Sequence, residues 1–340
     1  MPAIRVNGAF LGQRITGQQR YASEVTAQLV QHPSVELLRP PVALQRRALL
    51  AHAWAHAAAP VLAAGGGLIS LTARGPVLAR GHTVVVHDLF VLKHPEWYSA
   101  RYLRTHAPVL RAQLRTAAGL VAVSEPVAAQ LRALRPGTRV AVAPNAPSDV
   151  FTAPDPDRLP EAARAVLDRP GVRGCYFAVG SRDPRKNFGR LVEAYGRLPS
   201  SLRSAFPLLT AGGDFASFAD AAVAQVEGVH RLGYVADDEL AALYAAATAV
   251  VVPSLDEGFG LPVVEALAAG GRIVLSDIAA FRWVAGDLAH YFDPLSVDDL
   301  ARALATVHDD PPPAGGNAVH ERFTWSGSAR AILDVALVTL

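Results

Sequence analysis

Cysteine is almost absent from the sequence: Cys175 stands alone, so no disulfide can form within the chain. A single thiol inside an apolar run is typical of a reducing compartment. Lysine is also scarce, because 30 of the 32 basic residues are arginine and only Lys93 and Lys186 are lysine. The net charge of +2 is too small to indicate a nucleic-acid-binding protein, although basic residues can still cluster locally.

Long hydrophobic runs are missing as well. The alanine-rich stretch 51–69 is interrupted by histidine, proline and glycine, and no basic and apolar leader opens the chain. We therefore expect a cytoplasmic protein, or one that lies at the inner face of the membrane without crossing it.

Hydrophobic residues make up 51% of the sequence and charged residues 18%, and 340 residues are enough for two cores. Short β-branched runs alternate with helical patterns along the whole chain, which predicts parallel α/β units. The twelve candidate strands are IRVNG, VELL, GLISL, HTVVVHDL, GLVAVS and RVAVAPN in the first half, and YFAVGS, PLLTAGG, HRLGYV, AVVVPS, RIVLSD and HYFDP in the second. The pattern predicts two doubly wound domains that face each other across a ligand-binding cleft.

The predicted boundary lies in a stretch rich in proline and aspartate that is typical of a linker with a short helix. We predict a first domain over 1–165, a second over 166–318, and a C-terminal segment over 319–340. This last segment is expected to form a helix near 325–338 that crosses back to the first domain.

The stretch EGFGLPVVE, residues 257–265, follows the candidate strand AVVVPS. Its glycines and proline predict a tight turn into a helix, whose free amides and dipole attract an anion. Glu257 and Glu265 would oppose an anion, but carboxylates accept hydrogen bonds well from neighbouring hydroxyl groups. A diphosphate with a sugar on each side, as in a nucleotide sugar, would use all of these groups. The alternative is that the acids only complement the helix dipole.

A second candidate anion site is SRDPRKNFGR, which leads from the strand YFAVGS into a helix. Lys186 and the adjacent Arg185 could hold a diphosphate there. The alternative is a solvated basic turn.

These stretches resemble the retaining glycosyltransferases of the GT-B fold in glycosyltransferase family 4, also called group 1. Further matching stretches follow in the same order along nearly the whole chain: TGQQRYASEV, VVVHDL, VAVSE, APN, LGYVADDELAALYAAATAVVVPS and FTWSGSARAIL. The resemblance is densest over 176–294 and is greatest to the mannosyl- and rhamnosyltransferase-like branch. It implies two Rossmann-like domains facing an interdomain cleft.

The resemblance also implies catalytic roles. Lys186, with Arg185 or else Arg182, would stabilise the leaving diphosphate in place of a metal, and no cofactor is expected. Glu257 would orient the transferred hexose, and His87 would contact one of its hydroxyl groups or assist at the acceptor. A histidine at a strand end can equally be structural.

Further donor contacts are carried over in the same way. Glu265 would hold the ribose, and Gly17 would approach the diphosphate from the first domain, although a plain helix start explains that glycine as well. The other predicted donor-binding residues are Ser181, which stands where an arginine is common, and Tyr234, Val235, Gly258, Phe259, Gly260 and Leu261.

The predicted function is retaining, metal-independent transfer of a hexose or deoxyhexose, mannose or rhamnose above all, from a nucleotide sugar to a glycan, lipid-linked or small-molecule acceptor, as in polysaccharide biosynthesis. Two alternatives stay open at this point. One is a non-catalytic nucleotide-sugar-binding subunit of a glycosyltransferase complex. The other is an NAD-dependent enzyme, but the glycine-rich turn after a first strand is missing.

Three other features of the sequence bear on these predictions. The pair Asp155 and Asp157 lies in the linker rather than at a strand end, so we predict no metal site there. The stretch 101–115 carries four arginines near one face, which is typical of a solvated helix and also suits an anionic lipid or an acidic acceptor. Arg282 and Trp283 stand where the family often has an acid, and Ala146 stands where glycine usually follows the asparagine of APN.

Overall fold

Two parallel β-sheets of six strands each organise the protein in a computed structural model. The structure describes residues 3–13, 16–45, 48–72, 75–181, 183–213, 226–309 and 316–340. Each of the twelve candidate stretches contributes a strand. The interior strands of each sheet are short, buried runs rich in valine, isoleucine, leucine and alanine, whereas the strands at the sheet edges are partly exposed. Such runs are typical of strands that are covered by helices on both faces.

The first sheet contains β1 (Ile4–Asn7), β2 (Val35–Leu38), β3 (Gly67–Ser70), β4 (His82–Val86), β5 (Gly119–Ala122) and β6 (Val140–Val142) in the order β2-β1-β3-β4-β5-β6. The second contains β7 (Tyr176–Val179), β8 (Leu208–Ala211), β9 (Val229–Gly233), β10 (Ala249–Val252), β11 (Ile273–Ser276) and β12 (Ala289–Phe292) in the order β12-β11-β10-β7-β8-β9. In both sheets the chain first adds strands to one side of the starting strand and then to the other side, as in doubly wound folds.

Helices connect the strands. In the first half they are α1 (Gly17–Leu29), α2 (Val42–Gln45), α3 (Ala48–Leu62), α4 (Phe90–Lys93), α5 (Ala100–Thr116), α6 (Glu125–Leu134) and α7 (Glu161–Leu167). In the second half they are α8 (Phe188–Gly196), α9 (Ser200–Ala205), α10 (Asp237–Ala246), α11 (Leu261–Ala268), α12 (Ala279–Ala285), α13 (Val297–Thr306), α14 (Gly316–Arg322) and α15 (Trp325–Val338). In the part of the chain that the structure describes, none of these helices has the length and apolar character needed to cross a bilayer.

The chain divides by its contacts into two compact units. The first unit comprises Met1–Asn145 and Phe323–Leu340, and the second comprises Ala146–Arg322. The sequence placed the first boundary near residue 165, but the proline-rich stretch packs within the second unit. Phe151 lies with its ring centre 5.9 Å from that of Tyr244 on α10. In the same stretch, the Arg158 guanidinium donates to Asp238 with an Nε to Oδ2 distance of 2.8 Å.

The C-terminal helix α15 is part of the first unit. It packs against α1 and against the strands β3 to β6. The Ser328 hydroxyl donates to the carbonyl oxygen of Pro144 at 2.6 Å, and the Trp325 ring meets Tyr21 edge-on at 5.8 Å. The core of the first unit is therefore completed by the last residues of the chain.

Replacing Ile332 by alanine is expected to lower the free energy of unfolding by about 2–4 kcal/mol, because a fully buried side chain on α15 would leave a cavity. Leu337→Ala, on the same helix but 39% exposed, is expected to cost less than about 1 kcal/mol. Urea unfolding of both variants measures the difference. Equal losses would contradict a core role for α15.

Candidate functional site

The loop between β10 and α11 carries the EGFGLPVVE stretch. β10 is fully buried, and the chain turns at Gly260, whose φ of 108° lies in the left-handed region. A Cβ atom at Gly260 would lie 2.7 Å from the Phe281 ring, so both the backbone and the packing require glycine. Pro262 occupies the first turn of α11, where its missing N–H is not needed. The sequence thus fixes where this helix begins.

The neighbouring loop follows β7, which pairs in parallel with β10. Asp183 caps a short 3₁₀ turn over Pro184–Lys186 by accepting a hydrogen bond from the Arg185 amide at 3.0 Å. The Arg185 carbonyl in turn accepts from the Leu255 amide at 2.8 Å. Because carboxyl ends of parallel strands meet at one edge, the two loops are joined side by side there.

An ion cluster forms where these loops meet. The Lys186 ammonium lies 2.7 Å from Oε1 of Glu257, and the Arg185 guanidinium lies 2.5 Å from Oε2. The Ser254 hydroxyl also donates to Oε1 at 2.8 Å. The side chains of Lys186 and Arg185 are each 14% exposed and that of Glu257 is 10% exposed. The cluster is therefore largely removed from water.

Burial alone would raise the pKa of the Glu257 carboxyl. The charges of Lys186 and Arg185 outweigh burial and, with the hydrogen bonds from Lys186 and Ser254, hold this pKa at about 2. Glu257 is thus ionised at neutral pH. With Asp183, whose carboxylate lies 3.4 Å from the Arg185 guanidinium, the cluster holds two cations and two carboxylates.

Glu265 has a different environment. It lies on the buried face of α11, is 4% exposed, and accepts a hydrogen bond from the Tyr244 hydroxyl at 3.3 Å. The two glutamates of the motif therefore have separate partners, one in an ion cluster and the other beside a buried tyrosine.

The remaining predicted donor residues of the second unit lie at the ends of several strands. Tyr234 follows β9 and is 83% exposed, whereas the adjacent Val235 is buried. Phe259 is buried and meets the Trp283 ring edge-on at 6.1 Å. Ser181 is exposed after β7, and Arg182 lies outside the described residues.

Gly258 is buried, and Leu261, the first residue of α11, is half-buried.

The backbone after β8 lies close against the backbone of the β7 loop. Gly212, after β8, has a φ of 125°, and a Cβ atom there would overlap the Gly180 carbonyl oxygen.

His87 and Gly17 belong to the first unit. Burial lowers the pKa of the His87 ring to about 4, although the hydrogen bond to the Leu71 carbonyl acts in the opposite direction. The ring therefore does not readily accept a proton. That bond is 2.8 Å long and is made by Nε2, which must donate since a carbonyl oxygen only accepts. The neutral ring is held edge-on by Tyr21 at 4.9 Å and keeps Nδ1 as an acceptor. Gly17 begins α1, and a Cβ atom there would have no neighbour within 4 Å.

Sequence reasoning missed three side chains. Ser254 and Asp183 support the ion cluster directly, and Tyr244 donates to Glu265. The first two had a local signal, since Ser254 ends a strand three residues before Glu257 and Asp183 precedes the basic pair in a D-P-R turn. Tyr244 is brought in from another helix, so no local pattern indicates it.

Acidic residues in the linker make a turn. Asp155 accepts a hydrogen bond from the Asp157 amide at 2.9 Å, as a cap of a 3₁₀ turn. Within the described ranges, no three His, Cys, Asp or Glu side chains are grouped closely enough to hold a metal ion.

Residues 161–321 match the family model described as "Glycosyl transferases group 1". O-antigen chain mannosyltransferase B of Escherichia coli is 31% identical over 255 residues, covering 70% of this chain and 65% of that protein. MMP alpha-(1->4)-mannosyltransferase of Mycolicibacterium hassiacum is 30% identical over 294 residues, covering 80% of this chain and 67% of that protein.

Among solved structures, sucrose-phosphate synthase of Thermosynechococcus elongatus superposes with a TM-score of 0.74 at 19% identity, covering 99% of both chains. This likeness shows the GT-B fold, with two Rossmann-like domains. The chain belongs to the group 1 glycosyl transferases and resembles their mannosyltransferases. It spans slightly less than two thirds of the length of the first of these relatives.

Proposed function

We propose that the protein is a retaining glycosyltransferase that moves a hexose or deoxyhexose, mannose or rhamnose above all, from a nucleotide diphosphate sugar to a hydroxyl group of a glycan, lipid-linked or small-molecule acceptor. The observation that carries this proposal is the ion cluster of Lys186, Arg185 and Glu257 at the carboxyl end of two adjacent parallel strands. Ligands of open α/β sheets bind at such ends.

The cluster suits a reaction in which a diphosphate leaves. Lys186 and Arg185 attract the diphosphate of the donor, and negative charge grows on the leaving group as the anomeric bond breaks. Lys186 and Arg185 are held in a largely dry loop pair, so their charges act at nearly full strength and need little reorganisation. In this proposal the two side chains supply the charge that a metal supplies elsewhere.

Glu257 has two roles in the proposal. In the free protein it holds both cations at 2.5 and 2.7 Å and so keeps them at the site. When the diphosphate takes over part of these interactions, the carboxylate can accept hydrogen bonds from hydroxyl groups of the transferred sugar. Its low pKa keeps it an acceptor across the physiological range.

The rest of the donor is assigned by the same chemistry. Glu265 is the acceptor for the ribose hydroxyls, and its buried position beside Tyr244 keeps its orientation fixed. We assign the amides around Gly258 and Gly260 to the diphosphate, with Phe259 and Leu261 as apolar neighbours of the donor. Tyr234 and Val235 are assigned to the base, and Ser181 and Arg182 to the phosphate groups.

We assign the sugar hydroxyl contact to His87, whose neutral ring offers Nδ1 as an acceptor, and a further diphosphate contact to Gly17. The acceptor hydroxyl attacks from the face that the diphosphate leaves, through an oxocarbenium-like state, and gives its proton to the departing diphosphate oxygen, so that the configuration at the anomeric carbon is kept. No residue of the chain is assigned as a covalent nucleophile.

A thermal-shift screen of GDP-, UDP-, ADP- and dTDP-sugars tests the donor class. A donor present at about a hundred times its Kd stabilises the folded state by about 2.7 kcal/mol, which is expected to raise Tm by a few degrees. Lys186→Ala is expected to lose most of the shift, while Lys93→Ala keeps it. If no nucleotide sugar raises Tm and none is hydrolysed, the proposed function is wrong.

A further inference from the structure

The donor loop, residues 253–260 between β10 and α11, ends in a stretch that packing can fix through one side chain. Within residues 258–260 only Phe259 has a side chain, and the glycine on each side of it gives the backbone wide conformational freedom. The Phe259 ring is 4% exposed, so it lies against the protein. The position of the amides around Gly258 and Gly260 therefore depends on what holds this ring.

Trp283, on α12, is one of the side chains that hold it. The two rings meet edge-on, with their centres 6.1 Å apart and their planes at 71°. This arrangement is favourable because the positive edge of one aromatic ring faces the negative face of the other. Helix α12 packs against α11, the helix that begins directly after the donor loop. Trp283 thus fixes the loop from a neighbouring helix.

The indole of Trp283 is itself held by a cation. The guanidinium carbon of Arg322 lies 4.9 Å from the centre of the Trp283 ring, and tryptophan is the side chain that attracts a cation over its face most strongly. The same guanidinium donates to the carbonyl oxygen of Val284 at 3.5 Å. Arg322 ends α14, which also packs against α11. It therefore binds the indole and the backbone of α12 together.

The exposure of these side chains separates them from the core. Trp283 is half-buried and Arg322 is exposed, whereas Phe259 is buried. Removing a partly exposed side chain usually costs little stability. The series Arg322, Trp283, Phe259 therefore contributes less to the folding of the unit than to the position of the loop at its end.

We propose that Trp283 is a positioning residue for the donor loop and that Arg322 supports it. The inference rests on the proposed function, in which the amides around Gly258 and Gly260 bind the diphosphate. With the indole in place, the Phe259 ring keeps these amides in position before the donor arrives. Without the indole, the donor has to order the loop as it binds, which weakens its apparent affinity.

Trp283→Leu is expected to raise the KM for the nucleotide sugar about 10-fold, because the aromatic pair and the cation contact are both lost. The kcat is expected to stay within about twofold, since bound donor restores the loop and leaves Lys186 and Arg185 unchanged. Calorimetric titration without acceptor should show the same rise in the donor Kd. Trp283→Phe keeps a ring beside Phe259 and is expected to stay within about threefold of the native Kd.

Arg322→Gln is expected to raise the donor Kd about threefold, and Arg322→Lys, which keeps a cation, by less. Arg282→Gln is the matched control. Arg282 is also on α12, but its guanidinium lies 3.6 Å from the centre of the Tyr291 ring and donates to Asp277. This variant removes the same charge and one cation contact from the same unit, and its donor Kd is expected to stay within about twofold of the native value.

Three results would overturn the positioning role: an unchanged donor Kd in Trp283→Leu, equal rises in Trp283→Leu and Trp283→Phe, or a fall in kcat with unchanged KM. Equal Kd values for Arg322→Gln and Arg282→Gln would overturn the support from Arg322, in a test that does not need Trp283→Leu to fold. If the native chain binds no nucleotide sugar, the proposed function is wrong and this inference falls with it. Melting curves without donor check that each variant is folded.

Discussion

Lys186→Ala is expected to lower kcat/KM for sugar transfer by about 100- to 1000-fold, which is the usual effect of removing one charge that stabilises a leaving anion. The Lys186 ammonium lies 2.7 Å from Glu257 in a cluster that is largely closed to water. Because charge on the diphosphate grows as the bond breaks, kcat should fall by more than donor affinity does. The measurement is release of the nucleoside diphosphate from the donor that gives the largest thermal shift.

Lys93 provides a matched control, since it is the other lysine of the chain and lies at the end of α4 in the first unit. Lys93→Ala is expected to keep kcat/KM within about twofold in the same assay. Unchanged activity of Lys186→Ala in the native assembly would contradict the assigned role and would favour a non-catalytic donor-binding subunit.

Glu257→Gln is expected to lower both activity and stability. The amide cannot balance Lys186 and Arg185, so two cations would remain close together with little access to water. The gap between the ordinary pKa of 4.5 and the pKa of about 2 in the folded chain corresponds to about 3 kcal/mol of stabilisation by the ionised carboxylate. Urea unfolding at about pH 7 is expected to show a loss of this size in the variant.

The sign of the pH dependence follows from the same values. The folded state has the lower pKa, so the contribution of Glu257 is fully present above pH 4.5 and is lost as the pH falls towards 2. The stability difference between the native chain and Glu257→Gln should therefore shrink between about pH 5 and about pH 2. A difference that stays constant over this range would show that the carboxylate is not held by the two cations. Asp256→Asn, one position earlier, controls for a general effect of loop charge.

The sequence predicted the strands and the motif positions well, because both are set by local patterns. Short apolar runs rich in β-branched residues, such as AVVV and IVLS, favour buried strands in an α/β chain, and both form β-strands. The Gly260 turn and the beginning of α11 are likewise encoded within a few residues. The placement of Arg185 and Lys186 beside Glu257 could be anticipated from adjacent strand ends.

Other features depend on contacts between distant parts of the chain. The sequence could suggest that both glutamates of the motif face the donor, but not that Glu257 already holds two cations while Glu265 lies beside Tyr244. The boundary near 165 was predicted from proline and aspartate, which are typical of a connecting segment. A connecting segment that packs on a helix has the same composition, so the composition does not locate the boundary.

The assignment of α15 to the first unit also sets the order in which the chain can fold during synthesis. The second unit is one continuous segment, Ala146–Arg322, and all of it has been translated before α15 appears. The first unit begins earlier but lacks Ile332 and Ala336 in its core until α15 leaves the ribosome. The first unit is therefore completed after the second, and a chain that stops short of α15 would release a finished second unit attached to an unfinished first one.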